Sequence, residues 1–230
     1  MDSAAPHKAV LFDAYGTLFD VHSVALAAEQ LFPGQGQALS QLWRERQIEY
    51  SRLCSMSGRY QPFWELTAGA LQYAAARLGL ALGSAARDRL MSEYRHLSAF
   101  PENREVLQTL KLRGVRAGVL SNGDPDMLRL AVQSAGFEAW LDPVISVQPV
   151  QRYKTDPQAY ALGTQTLRLP ARDILFVSSN AWDALGAAWF GYTTLWVNRQ
   201  GLPREALGPA PDHEARSLRA VLDLFPAPVA

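Results

Sequence analysis

A chain of 230 residues, 48% of them hydrophobic, has enough apolar material for one core with a large insertion or for two small ones. Its 22 basic and 22 acidic side chains cancel and form no long run of one sign, which argues against nucleic acid or an anionic membrane surface as the main partner. No segment approaches membrane-spanning length and no basic stretch with a long apolar core opens the chain, so a soluble protein of the cytoplasm is expected.

In chain order, the apolar run near Ala9–Phe12 reads as a strand buried on both faces, and it delivers Asp13 just ahead of a turn at Gly16. No convincing strand follows until residue 98. Leu39, Leu42, Trp43, Arg46, Tyr50 and Leu53 fall on one helical stripe, and further helices are expected over about Phe63–Leu78 and Ser84–Tyr94. Pro101 can open a helix that stops at Gly114, ahead of a second strand at Val115–Leu120. Asp124-Pro125 supplies an N-cap and a first helical proline, with Gly136 as terminator. A third strand at Pro143–Val147 leads to a second Asp-Pro opening at Asp156-Pro157. Strands at Ile174–Val177 and Thr193–Val197 flank a helix around Asp183 that ends at Gly191. The proline- and alanine-rich tail after Gly201 reads as an irregular finish with one short helix near Ser217–Leu224. Such alternation implies an α/β fold with a parallel sheet: residues 1–20 and 98–230 form the core, and residues 21–97 a helical insertion.

Candidate reactive groups gather at the carboxyl ends of these strands, where ligands bind in an open parallel sheet. Asp13 follows the first strand, Ser121 the second, Lys154 lies beyond the third, and Ser178, Asn180 and Asp183 follow the fourth. A strand-end aspartate can attack an electrophilic carbon or phosphorus, or can merely cap the turn before Gly16; the convergence of the other segments favours the nucleophile. Cys54, the only cysteine, excludes an intrachain disulfide, and it reads as a packed side chain in a helix. The histidines at 7, 22, 96 and 213 lack metal-ligand spacing.

The segment Asp13-Ala14-Tyr15-Gly16-Thr17-Leu18 resembles the first motif of the haloacid dehalogenase superfamily, and within it the 2-haloacid dehalogenase branch. Leu120-Ser121-Asn122-Gly123, Tyr153-Lys154, and the run Phe176 to Asp183 match the later motifs in order; Leu42-Trp43-Arg44-Glu45-Arg46-Gln47 matches more weakly. The resemblance implies a Rossmann-like core of this superfamily with residues 21–97 as a helical cap closing over the strand ends. Phosphatases of the superfamily carry a second aspartate where this chain has Tyr15, and a magnesium-binding Gly-Asp pair where it has Ser178-Ser179. Magnesium needs hard oxygen ligands, and only Asp13 and Asp183 remain, so neither a metal nor a cofactor is expected. A halide leaving group accounts for both losses, because it departs as a weak base that needs no proton.

By the same resemblance, Lys154 is the cation that orients Asp13, and Ser178, Asn180 and Asp183 position Lys154, Asp13 and the hydrolytic water. Asp183 alone is equally readable as a helix N-cap. Ser121 and Asn122 are expected to hold the substrate carboxylate, and Thr17 to bond near the nucleophile or satisfy the turn. Arg44 shares a helical face with Ile48; it is either a solvated arginine or, by family match, the group that receives the departing halide. Tyr15, Ile48, Phe63 and Trp182 are expected to line an apolar pocket, and Tyr160 to hydrogen-bond near Lys154. The implied activity is hydrolysis of a short (S)-2-haloalkanoate to an (R)-2-hydroxy acid and halide, through an ester on Asp13, by a homodimer. The alternatives are a divergent magnesium-dependent phosphatase and a non-catalytic metabolite-binding relative.

Overall fold

Ala9–Phe12 forms β1, and all four of its side chains are buried, as expected of a strand covered on both faces. The computed structural model describes residues 7–227. After β1 the chain builds α1 (Ala25–Leu31), α2 (Gly36–Ser57), α3 (Phe63–Arg77) and α4 (Ser84–Arg95), with no strand of the sheet between them. The alternating part follows: α5 (Asn103–Leu112), β2 (Arg116–Ser121), α6 (Pro125–Ala135), β3 (Val144–Ser146), α7 (Pro157–Leu167), β4 (Ile174–Ser178), α8 (Ala181–Phe190) and β5 (Thr193–Val197). The chain then adds β6 (His213–Ala215) and α9 (Val221–Leu224).

The six strands are parallel and run in the order β3-β2-β1-β4-β5-β6. The order reverses between β1 and β4, whose registers align Phe12 with Val177. A doubly wound sheet opens its binding crevice at this reversal, outside the carboxyl ends. The loops carrying Asp13 and Ser178–Asn180 therefore leave the sheet side by side. This is an α/β fold of the expected class, with β1 near the centre. No helix among the described residues is long and apolar enough to cross a membrane.

The expected strands and helices form close to their anticipated bounds, with instructive exceptions. The tail is not wholly irregular, because His213–Ala215 pairs with Leu195–Val197 as an edge strand. Three residues, none of them fully buried, give too little alternation to read from sequence. Asp212 anchors this edge, its carboxylate accepting the Thr194 N–H at 2.8 Å. The helix expected from Pro101 starts at Asn103. Asp124 stands at the N-cap of α6, but its side chain makes no bond to that helix. Its two carboxylate oxygens instead accept the N–H groups of Phe63 (2.9 Å) and Trp64 (2.7 Å), capping α3 from the neighbouring segment.

Candidate active site

Asp13 leaves β1 almost wholly buried, its N–H donating to Val177 O at 2.9 Å. The chain then turns tightly. Ala14 O accepts the N–H groups of Thr17 and Leu18, and Gly16 takes φ +96°, a conformation that disfavours any side chain. This turn brings Thr17 back beside the carboxylate.

Both oxygens of Asp13 are engaged. Oδ1 accepts from Lys154 Nζ at 3.1 Å; Oδ2 accepts from Thr17 Oγ1 at 3.1 Å and from Asn180 Nδ2 at 2.9 Å. Lys154 is itself buried, and its Nζ donates also to Asp183 Oδ2 at 3.0 Å. Its backbone N–H donates to Asn122 Oδ1 at 2.9 Å, which ties the loop after β3 to the loop after β2. One ammonium between two buried carboxylates leaves the cluster electrostatically strained. Burial, reinforced by the charge of Asp13, pushes Asp183 up to about 6, while Lys154 and the Tyr160 hydroxyl oppose that rise. Tyr160 donates to Asp183 Oδ1 at 2.7 Å, so it acts on the partner of Lys154 and not on Lys154 itself.

Asp183 is not the N-cap of α8; Asn180 holds that position, and Asp183 lies three residues on, in the first turn and fully buried. Ser178 Oγ accepts the Asn180 N–H at 3.1 Å and so shapes the turn that aims Asn180 at Asp13. Thr17 Oγ1 donates to Asp13 and accepts the Ser179 N–H at 2.8 Å, so it bonds beside the carboxylate and to the loop after β4 and not within its own turn. Ser121 Oγ accepts from Gly123 N–H at 3.2 Å, which leaves the hydroxyl proton available to a ligand.

Arg44 reaches in from α2. Its Nη2 donates to Tyr15 O at 3.0 Å and to Asn180 Oδ1 at 3.3 Å, and its Nη1 to Gln47 Oε1 at 2.7 Å. It is therefore no solvated arginine; Asn180 joins its guanidinium to Asp13. Beside it opens a cavity of about 650 Å³, bordered by Arg44, Ile48, Asn180, Trp182 and Arg199. Like Asp13 itself, Tyr15 and Phe63 do not border this cavity. They are buried behind it, with ring centroids 5.9 Å apart, and Tyr15 stacks on Tyr94 at 5.8 Å. Gly123 accommodates this stack, since a Cβ there would stand 2.7 Å from the Tyr15 ring.

Sequence reasoning missed Arg199. Its guanidinium donates to Ser179 Oγ (2.6 Å), Gly16 O (3.4 Å), Thr17 O (3.2 Å) and Glu102 Oε1 (3.0 Å), and lies 3.8 Å from the Phe100 ring centroid. The available signal was its place just beyond the fifth strand, at the same edge as the other site loops. Gln47, Tyr94 and Glu102 were also missed, because each acts through another side chain and carries no signature alone.

A carboxylate at the reversal of a doubly wound sheet, bonded to a buried lysine and lacking an acid two residues on, defines an aspartate-dependent hydrolase. The chain belongs to the haloacid dehalogenase-like hydrolase family, whose model matches residues 7–191. It is 46% identical to an (S)-2-haloacid dehalogenase of Pseudomonas sp. (strain YL), over 95% of this chain and 94% of that protein. A crystal structure of the L-2-haloacid dehalogenase RSc1362 superposes with a TM-score of 0.94 at 55% identity, covering 96% of this chain and 99% of that one. An L-2-haloacid dehalogenase from Xanthobacter autotrophicus, solved with chloropropionic acid covalently bound, gives a TM-score of 0.88 at 36% identity, covering 95% and 98%.

Proposed function

We propose that this chain hydrolyses short (S)-2-haloacids to (R)-2-hydroxy acids through an ester on Asp13. The observation that carries this reading is the three-sided hold on Asp13, by Lys154, Thr17 and Asn180, with the Arg44 guanidinium joined to the same Asn180. An Asp13 oxygen attacks C2 from the side opposite the halogen, the carbon–halogen pair leaves with the halide, and C2 inverts. Arg44 faces the developing anion, in a cavity whose remaining wall includes Ile48 and Trp182. The substrate carboxylate lies toward Ser121 and Asn122. Water then attacks Cγ of Asp13, Asp183 takes its proton, and the 2-oxygen of the product is the former Asp13 oxygen.

The groups that phosphate transfer needs are replaced by others. Tyr15 stands at the acid's place, but its hydroxyl is buried and pushed well above its ordinary range by burial and by Tyr94, so it is a poor proton donor. Ser179 stands where a metal-binding carboxylate would, and its Oγ accepts from the cationic Arg199. The covalently bound chloropropionic acid in the Xanthobacter relative supports the ester. We extend the reading to a cytoplasmic homodimer; exposed Leu53 and Met56 on α2 and Tyr73 on α3 offer apolar surface for pairing, which sedimentation would test.

The test is halide release from chloroacetate and from each enantiomer of 2-chloropropionate, with a chelator present, comparing wild type with Asp13→Asn. Release from chloroacetate and from the (S) but not the (R) enantiomer, lost in the variant, is expected. A single turnover in ¹⁸O water should label the Asp13 carboxylate. Label passing straight into the product, or magnesium-dependent phosphate release with haloacids untouched, would overturn the proposal.

A further inference from the structure

Arg44 makes no ion pair among the described residues: its acceptors, Gln47 Oε1, Tyr15 O and Asn180 Oδ1, are all neutral. Arg199, by contrast, is paired with Glu102 at 3.0 Å. An arginine fixed by neutral acceptors keeps its charge for an incoming anion. Gln47, fully buried one helical turn after Arg44, is the side chain that makes this possible.

The orientation of the Gln47 amide follows from its neighbours. Thr67 Oγ1 donates its single proton to Phe63 O at 2.7 Å, so it can only accept from Gln47, and Gln47 Nε2 meets it at 2.6 Å. The amide oxygen then faces the other way, where it accepts from Tyr94 OH at 2.9 Å and from Arg44 Nη1 at 2.7 Å. Every proton in this chain of bonds has one assignment. Four buried groups thus deliver a single uncharged acceptor to the guanidinium.

We propose that Gln47 is a positioning residue of the displacement step, holding Arg44 in place without neutralising it. This rests on the reading that Arg44 receives the halide. A glutamate at 47 has almost the same shape but would pair with Arg44 and cancel the charge offered to the leaving group.

The experiment measures single-turnover rates of ester formation with 2-chloro- and 2-bromopropionate, since the halogen is present only in that step. Chloride is the poorer leaving group and draws more on Arg44. Gln47→Glu should slow ester formation from the chloro acid by roughly ten- to a hundredfold and from the bromo acid by less, so that the bromide-to-chloride rate ratio rises, with ester hydrolysis unchanged. Gln47→Met, neutral and without an acceptor, should raise the ratio in the same direction and serves if the glutamate variant does not fold. Arg44→Lys is the reference. A ratio shifted by Arg44→Lys but by neither Gln47 variant overturns the role of Gln47 alone. A ratio unmoved by Arg44→Lys overturns the halide-receiving reading, and this proposal with it. A merely structural Gln47 would slow both substrates equally.

Discussion

Tyr160 bonds to the Asp183 side chain at 2.7 Å, on the carboxylate oxygen opposite the one that Lys154 holds at 3.0 Å. Each oxygen of this fully buried carboxylate therefore has its own donor, and burial still pushes the group up to about 6. Below that pH Asp183 carries a proton and can neither take one from water nor balance Lys154. Ester hydrolysis should fall as pH drops through about 6. Rapid-quench measurement of ester breakdown against pH checks this. An acid limb that persists unmoved in Asp183→Asn would show that another group titrates.

Removing the Tyr160 hydroxyl takes away a bond that favours the charged form of Asp183. In Tyr160→Phe the acid limb should move to higher pH, by roughly one unit. The plateau rate at alkaline pH should change much less than the rate at pH 6, which distinguishes titration from a general loss of structure.

Arg199 ties the loop after β1 to the loop after β4 through Gly16, Thr17 and Ser179. Those loops carry Thr17 and Asn180, which share Oδ2 of Asp13. Arg199→Met should lower kcat by about tenfold or more, as expected when donors to the reacting group lose their placement. Arg199→Lys should not restore it, because a single ammonium cannot reproduce a planar fork that serves Ser179, Thr17 and Glu102 together. Steady-state rates with matched melting curves decide the point; full activity in the lysine variant would refute it.

Asp124 accepts the first two N–H groups of α3 at 2.9 and 2.7 Å. Asp124→Ala should reduce stability by roughly 0.5–2 kcal/mol in urea unfolding, the usual cost of a lost helix cap. Asp124→Asn retains one acceptor and should lose less. Equal losses in both variants would mean that the negative charge, not the bond geometry, does the stabilising.

The fold was legible where physics is local. The apolar run before Asp13, the Asp-Pro helix openings and the glycine stops at Gly136 and Gly191 each act within a few residues, and the elements form there. Asp13, Lys154, Asn180 and Asp183 were legible as a group because strand ends of a parallel sheet must converge. What escaped depends on distant partners. Asp124 looks like the cap of its own helix, and only the packing of α3 against that loop redirects it. Edge strand β6 is held by pairing to β5 and by Asp212, with little apolar pattern of its own. Tyr15 packs on Phe63 and stacks on Tyr94, partners from the helical segment that no local pattern announces.

Arg44 stands on α2, while Asn180 and Asp13 belong to the loops beyond the sheet. The chain of bonds from Arg44 through Asn180 to Asp13 thus depends on α2 staying seated against those loops. Gentle heating that slackens this seam should silence turnover while most helical ellipticity survives. Inactivation would then run ahead of melting, and the gap between the two temperatures would gauge how firmly α2 grips those loops.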